Sequence, residues 1–98
     1  MFTVELDCPG TPDNALVIKR DLDLNLGGLN SLTNTGECTL FIGSLDSSGK
    51  GFDDRELAPG DVIDHYQPSA DAVSIYAVCH LECTGTAALQ YDDPDLIA

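Results

Sequence analysis

The chain has 98 residues, 43% of them hydrophobic, and carries seventeen Asp/Glu against four Lys/Arg for a formal net charge of −13. That length suits one domain built on one modest core. The charge excludes direct binding to nucleic acid, whose phosphates need clustered Lys and Arg, because the basic residues are Lys19, Arg20, Lys50 and Arg55 alone, and it disfavours anionic membranes likewise.

Phe2, Val4 and Leu6 alternate with Thr3, Glu5 and Asp7, the period of a half-buried strand that Cys8-Pro9-Gly10 ends. The same N-terminus, MFTVELDCPG, has neither a basic n-region nor an apolar h-region, so no secretory signal is expected. No run approaches the roughly 20 apolar residues of a membrane span either. After a loop at Pro9, Gly10 and Pro12, ALVIKRDLDLNL resumes alternation: Leu16 and Ile18 point one way. Past a turn or bulge near Arg20-Asp21, Leu22, Leu24 and Leu26 face the core opposite Asp21, Asp23 and Asn25. A helix would put Leu24 on the far side from Leu22 and Leu26, and Asp and Asn are poor helix-interior residues, so strand is preferred. Gly27-Gly28 breaks or bulges the element, Leu29 to Leu32 continues it, and Asn34-Thr35-Gly36 turns into a short strand, Cys38 to Gly43, with Leu40 and Ile42 inward.

Leu45 to Asp54, LDSSGKGFDD, has the Ser, Gly and Asp content of an exposed loop and one aromatic, Phe52. It is the expected place of contact with another chain, with Ser47, Lys50, Phe52, Asp53, Asp54 and Arg55 as the candidate partner-contact residues. In LAPGDV, Pro59 presets φ and Gly60 supplies the positive φ of a type II turn before a strand at Val62 to Tyr66. Pro68-Ser69-Ala70-Asp71 is a further loop. Val73, Ile75, Ala77 and Cys79 then alternate with Ser74, Tyr76, Val78 and His80. This strand is apolar on both faces, which predicts a central position or an outer face covered by a neighbouring subunit. Ala87, Leu89 and Tyr91 form the inner face of a last strand, and Asp92-Asp93-Pro94-Asp95 opens an acidic tail. Seven to eight short strands at this spacing, with no convincing helix, predict an all-β fold. The expected architecture is a single antiparallel β-sandwich or small jelly roll over residues 1–91, followed by the acidic C-terminal tail at 92–98.

Candidate chemistry is sparse. Four cysteines, Cys8, Cys38, Cys79 and Cys83, allow three disulfide pairings. In a reducing cytosol free thiols are the default, with oxidation following only on release by lysis. Cys79-His80-x-x-Cys83 superficially resembles a zinc site, to which Cys8, Cys38 and His65 would add ligands if the fold gathered them. The spacing is not that of a knuckle, however, and adjacent strand residues Cys79 and His80 point to opposite faces. Buried thiols acting as small apolar residues are expected, with no metal and no cofactor. A Cys79–Cys83 disulfide would close a very short loop, so reduced thiols are preferred there. No Gly-rich elbow or flanking motif supports a Cys-His nucleophile. The carboxylate groups Asp21/Asp23, Asp53-Asp54 and Asp92-Asp93-Asp95 lack the aromatic platforms of a glycosidase cleft, there being no Trp and six aromatics in all. The run from Asp46 to Asp54 lacks the register of an EF-hand calcium loop. His65 and His80 are expected in surface hydrogen bonds, and no enzyme activity is expected.

Leu-Thr-Asn-Thr-Gly-x-Cys-Thr-Leu-Phe-Ile-Gly at residues 32–43, Leu-Ala-Pro-Gly-Asp at 57–61, Asp-Ala-Val-Ser-Ile-Tyr-Ala-Val at 71–78 and Gly-Thr-Ala-Ala-Leu-Gln-Tyr at 85–91 carry a resemblance. The pattern is similar to that of small β-sandwich virion proteins of tailed bacteriophages, namely capsid decoration (cement) proteins and the base domains of head fibres and tail spikes. The resemblance implies a non-enzymatic structural protein, made in the host cytoplasm and located in the virion. It further implies a homotrimer that binds the major capsid protein or another virion protein and bridges neighbouring capsomers. The family has no catalytic residues to carry over, and the four cysteines and the acidic tail are not part of its pattern. The rivals are a free sandwich module binding a carbohydrate or small molecule, for which Tyr66, Tyr76 and Tyr91 are the available platforms, and a cupin-like enzyme, for which two histidines are too few.

Overall fold

The computed structural model describes residues 1–20, 22 and 27–95. Alternating apolar residues set eight strands: β1 (Phe2–Leu6), β2 (Leu16–Lys19), β3 (Leu29–Asn34), β4 (Leu40–Leu45), β5 (Gly51–Leu57), β6 (Val62–Tyr66), β7 (Ser74–Cys79) and β8 (Ala87–Asp92). The single helical element among the described residues is a one-turn 3-10 helix at Pro12–Asn14. Two four-stranded sheets run in the orders β1-β8-β3-β6 and β2-β7-β4-β5, with every pairing antiparallel. Of the two architectures left open by the sequence this is the jelly roll, two Greek keys folded over one core.

The core lies between the sheets. Leu29, Leu32 and Leu89 from one sheet and Leu40, Ile42, Ile75 and Ala77 from the other are all 0% exposed. The inner face predicted for the last strand is present, since Ala87, Leu89 and Tyr91 are buried and pair with Leu6, Val4 and Phe2 of β1. β7 occupies the central position expected of a strand apolar on both faces, flanked by β2 and β4. The Pro59-Gly60 turn is also as expected: Gly60 has φ +84° and Asp61 N–H donates to the Ala58 carbonyl at 2.9 Å.

Three expectations are corrected. The segment Leu45 to Asp54 is a hairpin rather than a long loop. Its Gly and Asp content reads as loop, but β5 is an edge strand with only Phe52 and Leu57 turned away from solvent, and edge strands tolerate charge on their open side. Leu29 to Asn34 does not extend β2 but lies in the other sheet as β3, pairing with β6 and β8. In β2 the register shifts between Val17 and Lys19, which turns Lys19 inward opposite Ile75, while Leu16, in register with the inward Ala77, is 36% exposed because β2 is an edge strand. Leu24, Leu26, Asp21, Asp23 and Asn25, for which the clearest alternation was expected, lie outside the described residues, as do residues 96–98. Leu22 is half-buried against the core and donates its N–H to the Val73 carbonyl.

The acidic segment at the C-terminus starts as part of the body. Asp92 is the last residue of β8, and the Lys19 ammonium, enclosed by its surroundings, lies 2.8 Å from Asp93 Oδ1 and 2.5 Å from Asp95 Oδ2. It also donates to the Gly27 and Gly28 carbonyls at 2.8 and 3.1 Å.

Candidate functional site

Consecutive jelly-roll strands run antiparallel, so the odd-to-even connections share one end of the molecule and the even-to-odd connections share the other. The candidate partner-contact residues belong to the second end and the adjoining sheet edge. Ser47 and Lys50 lie in the β4–β5 turn, where Asp46 Oδ1 accepts from the Ser48 hydroxyl at 2.6 Å and from the Ser48 and Lys50 N–H groups at 2.9 Å. These bonds, Ser48 Oγ–H foremost, hold the Asp46 carboxyl below its ordinary range. The other four candidates are on β5. Phe52 is half-buried in register with Ser44, Asp53 takes φ +56° at a bulge, and Asp54 and Arg55 are exposed. The six therefore do not form one loop surface.

A more continuous surface lies on the outer face of the β2-β7-β4-β5 sheet. Val17 pairs with Tyr76 and Tyr76 with Gly43, while Val78 pairs with Phe41, so these side chains share the face turned away from the core. Val17, Phe41, Leu45, Tyr76 and Val78 are all half-exposed. A cleft of about 460 Å³ runs along this face, lined by Gly10, Ala15, Val17, Leu45, Gly49, Gly51, Tyr76 and Val78. Of its lining residues only Tyr76 carries a titratable side chain, and burial, with Asp54 accepting its hydroxyl proton, pushes that phenol well up. Asp54 and Glu56 stand along the β5 edge of the face, Glu56 in register with Phe41. Gly43 is needed there, since a Cβ would meet the Asp54 carboxylate and the Tyr76 ring. The cleft thus offers apolar contact and an acidic border but no nucleophile, acid or base directed at a common point.

The histidines are at the surface as expected. His65 hydrogen-bonds Asn30 and Gln67, and His80 accepts from the Glu82 N–H at 3.0 Å while its ring stands 6.0 Å from that of Phe41. The cysteines, expected as buried thiols acting as small apolar residues, are grouped at the odd-to-even end. Cys38 and Cys83 are joined by a disulfide with Cα atoms 5.8 Å apart, which corrects the expectation of free thiols at those two positions. Cys83 reaches Cys38 because the β7–β8 connection folds back over the β3–β4 connection, where Glu37 N–H donates to the Thr86 carbonyl at 2.7 Å. Cys8 and Cys79 are thiols with Sγ atoms 2.8 Å apart. Burial, then the neighbouring Cys8, pushes the Cys79 thiol up to about 11.

Comparison of the chain with protein-family models, curated proteins and solved structures finds no significant match.

Proposed function

We propose that this chain is a non-enzymatic structural protein of a phage virion, a capsid decoration protein that docks onto the major capsid protein and bridges neighbouring capsomers. The observation that carries the reading is the apolar outer face of the β2-β7-β4-β5 sheet. Val17, Phe41, Tyr76 and Val78 are half-exposed there with acidic Asp54 and Glu56 on the border. A sheet face of this composition gains by burial against a partner at about 25 cal/mol per Å² of apolar area. At a net charge of −13 the fitting partner is an apolar patch bordered by Lys and Arg, and a second equally acidic copy fits less well. The motif pattern of residues 32–91 points the same way. So does the fold by analogy, since jelly rolls recur in viral capsid proteins, although they also host lectins and enzymes.

Light scattering on the purified chain, alone and mixed with empty shells of any major capsid protein encoded beside it, tests the reading. A trimer, three times the 10.4 kDa chain, that co-sediments with shells supports it. A monomer that ignores shells overturns it. The cleft beside Tyr76 favours a second reading, a module that binds a small apolar ligand. That reading gains if the chain is monomeric and ligand protects Tyr76 from modification.

A further inference from the structure

The four cysteines come from three different connections and one strand end, yet they meet. Cys8 follows β1, Cys38 precedes β4, Cys79 ends β7 and Cys83 lies in the β7–β8 connection. The Sγ atoms of Cys8, Cys38 and Cys83 lie within 4.8 Å of one another, and Cys79 Sγ is 2.8 Å from Cys8 Sγ. In a tetrahedral tetrathiolate site, zinc–sulfur bonds of about 2.3 Å set the sulfurs about 3.8 Å apart. Three of the sulfurs, those of Cys8, Cys38 and Cys83, already lie close enough to share an ion, while Cys79 touches the group through Cys8 alone and has to rotate toward Cys38 and Cys83 to complete the set.

The backbone around the cluster is closely fitted. A Cβ on Gly10 would lie 1.6 Å from the Cys79 carbonyl oxygen, so only glycine lets the Cys8-Pro9-Gly10 segment lie against the end of β7 and bring Cys8 to Cys79. Gly10 N–H there donates to the His80 carbonyl. On the other side, a Cβ on Gly85 would lie 2.8 Å from the Glu37 carboxylate and 3.8 Å from Cys38 Sγ. A hollow of about 380 Å³ lined by Glu37, Cys38, His80, Glu82, Cys83 and Gly85 among others opens beside the sulfurs and gives an ion a way in. His80 is turned away onto Phe41, which leaves an all-sulfur donor set, the kind that selects soft or borderline cations such as zinc.

We propose that the reduced chain binds one zinc-class divalent cation through Cys8, Cys38, Cys79 and Cys83. The ion ties β1 of one sheet to β4 and β7 of the other. Binding releases four thiol protons to solvent, forms four metal–sulfur bonds and changes no oxidation state. The nascent chain carries thiols, so the site fills whenever the ion arrives before an oxidant. The Cys38–Cys83 disulfide is the product of the competing reaction. In that reaction a small disulfide such as oxidised glutathione accepts two electrons and both thiol protons, leaves as two thiols, and the protein sulfurs bond to each other.

The test uses the full chain, purified anaerobically with a phosphine reductant and loaded with zinc or cobalt. Metal content comes from mass spectrometry of the elements, donor type from the visible spectrum of the cobalt form, and thiols from a count in denaturant with chelator. The expected result is about one ion per chain, a tetrahedral thiolate cobalt spectrum and all four thiols recovered. Cys8→Ser should drop the stoichiometry well below one ion per chain. A wild-type chain with four counted thiols that takes up neither ion overturns the proposal, and so does one that keeps its Cys38–Cys83 disulfide through reduction. Because the wild-type measurement decides alone, a variant that fails to fold does not rescue the idea.

Discussion

Lys19→Met removes the cation on which one end of the jelly roll converges. The lysine side chain is 5% exposed, as is that of Asp93, and the ammonium serves Asp93, Asp95 and the carbonyls of Gly27 and Gly28. Desolvation pulls the ammonium down, but the hydrogen bonds and charges of Asp93 and Asp95 outweigh it, so Lys19 stays charged at every pH below its ordinary 10.5. Between pH 5 and 7 the substitution therefore acts through the carboxylate left behind. With methionine at position 19, Asp93 keeps one hydrogen bond, from Asp95 N–H at 3.0 Å. Breaking a buried pair from one side costs about 3–5 kcal/mol. Urea unfolding at pH 7, followed by circular dichroism, should show a loss of about 3–5 kcal/mol. A loss under about 1 kcal/mol would mean that the cluster behaves as a solvated surface pair and would overturn this expectation.

Three further substitutions follow from the backbone. Asn34 is 2% exposed and its amide donates to the Cys38 carbonyl at 2.6 Å and the Leu57 carbonyl at 2.8 Å, so Asn34→Asp turns a near-isosteric oxygen toward two buried acceptors. The expected cost is about 3 kcal/mol or more, read from the urea midpoint, and a shift within about 0.5 kcal/mol of wild type would contradict it. Gly10→Ala places a Cβ against the Cys79 carbonyl, whereas Gly60→Ala meets open space and pays only for its φ of +84°. Thermal unfolding should rank Gly10→Ala as the more damaging, with Gly60→Ala near about 1 kcal/mol; the reverse order would mean that the segment after β1 yields freely.

Much of the fold was legible because period-2 alternation and turn chemistry speak directly about strands. Phe2 to Leu6, Val62 to Tyr66, Ala87 to Tyr91 and the Pro59-Gly60 turn each state their structure locally. β5 was hidden because an edge strand can leave most of its residues in solvent, and Asp53 to Glu56 are exposed charges on both faces that read as loop. Lys19 was hidden for a different reason. A bulge after Val17 reverses its direction, and the acids that compensate it lie 74 and 76 residues away, a separation no local pattern encodes. The outer apolar face was half visible, in Tyr76 and Val78 alternating with the inward residues of β7, but its partners Val17 and Phe41 arrive only through pairing. The cysteine group was invisible in the spacing of Cys79 and Cys83 because its other members join from β1 and from the β3–β4 connection. Which residues share an end of the molecule is a property of jelly-roll topology.

The proposed function rests on docking of the outer face of the β2-β7-β4-β5 sheet onto a capsid surface. The most direct measurement is the binding isotherm of wild-type chain and of Val78→Asp on empty shells of any major capsid protein encoded beside it. Saturable binding by wild type, weakened about tenfold or more by Val78→Asp with the fold intact by circular dichroism, is the predicted result. Wild-type chain that fails to bind shells, or a variant that binds as tightly as wild type, would contradict it.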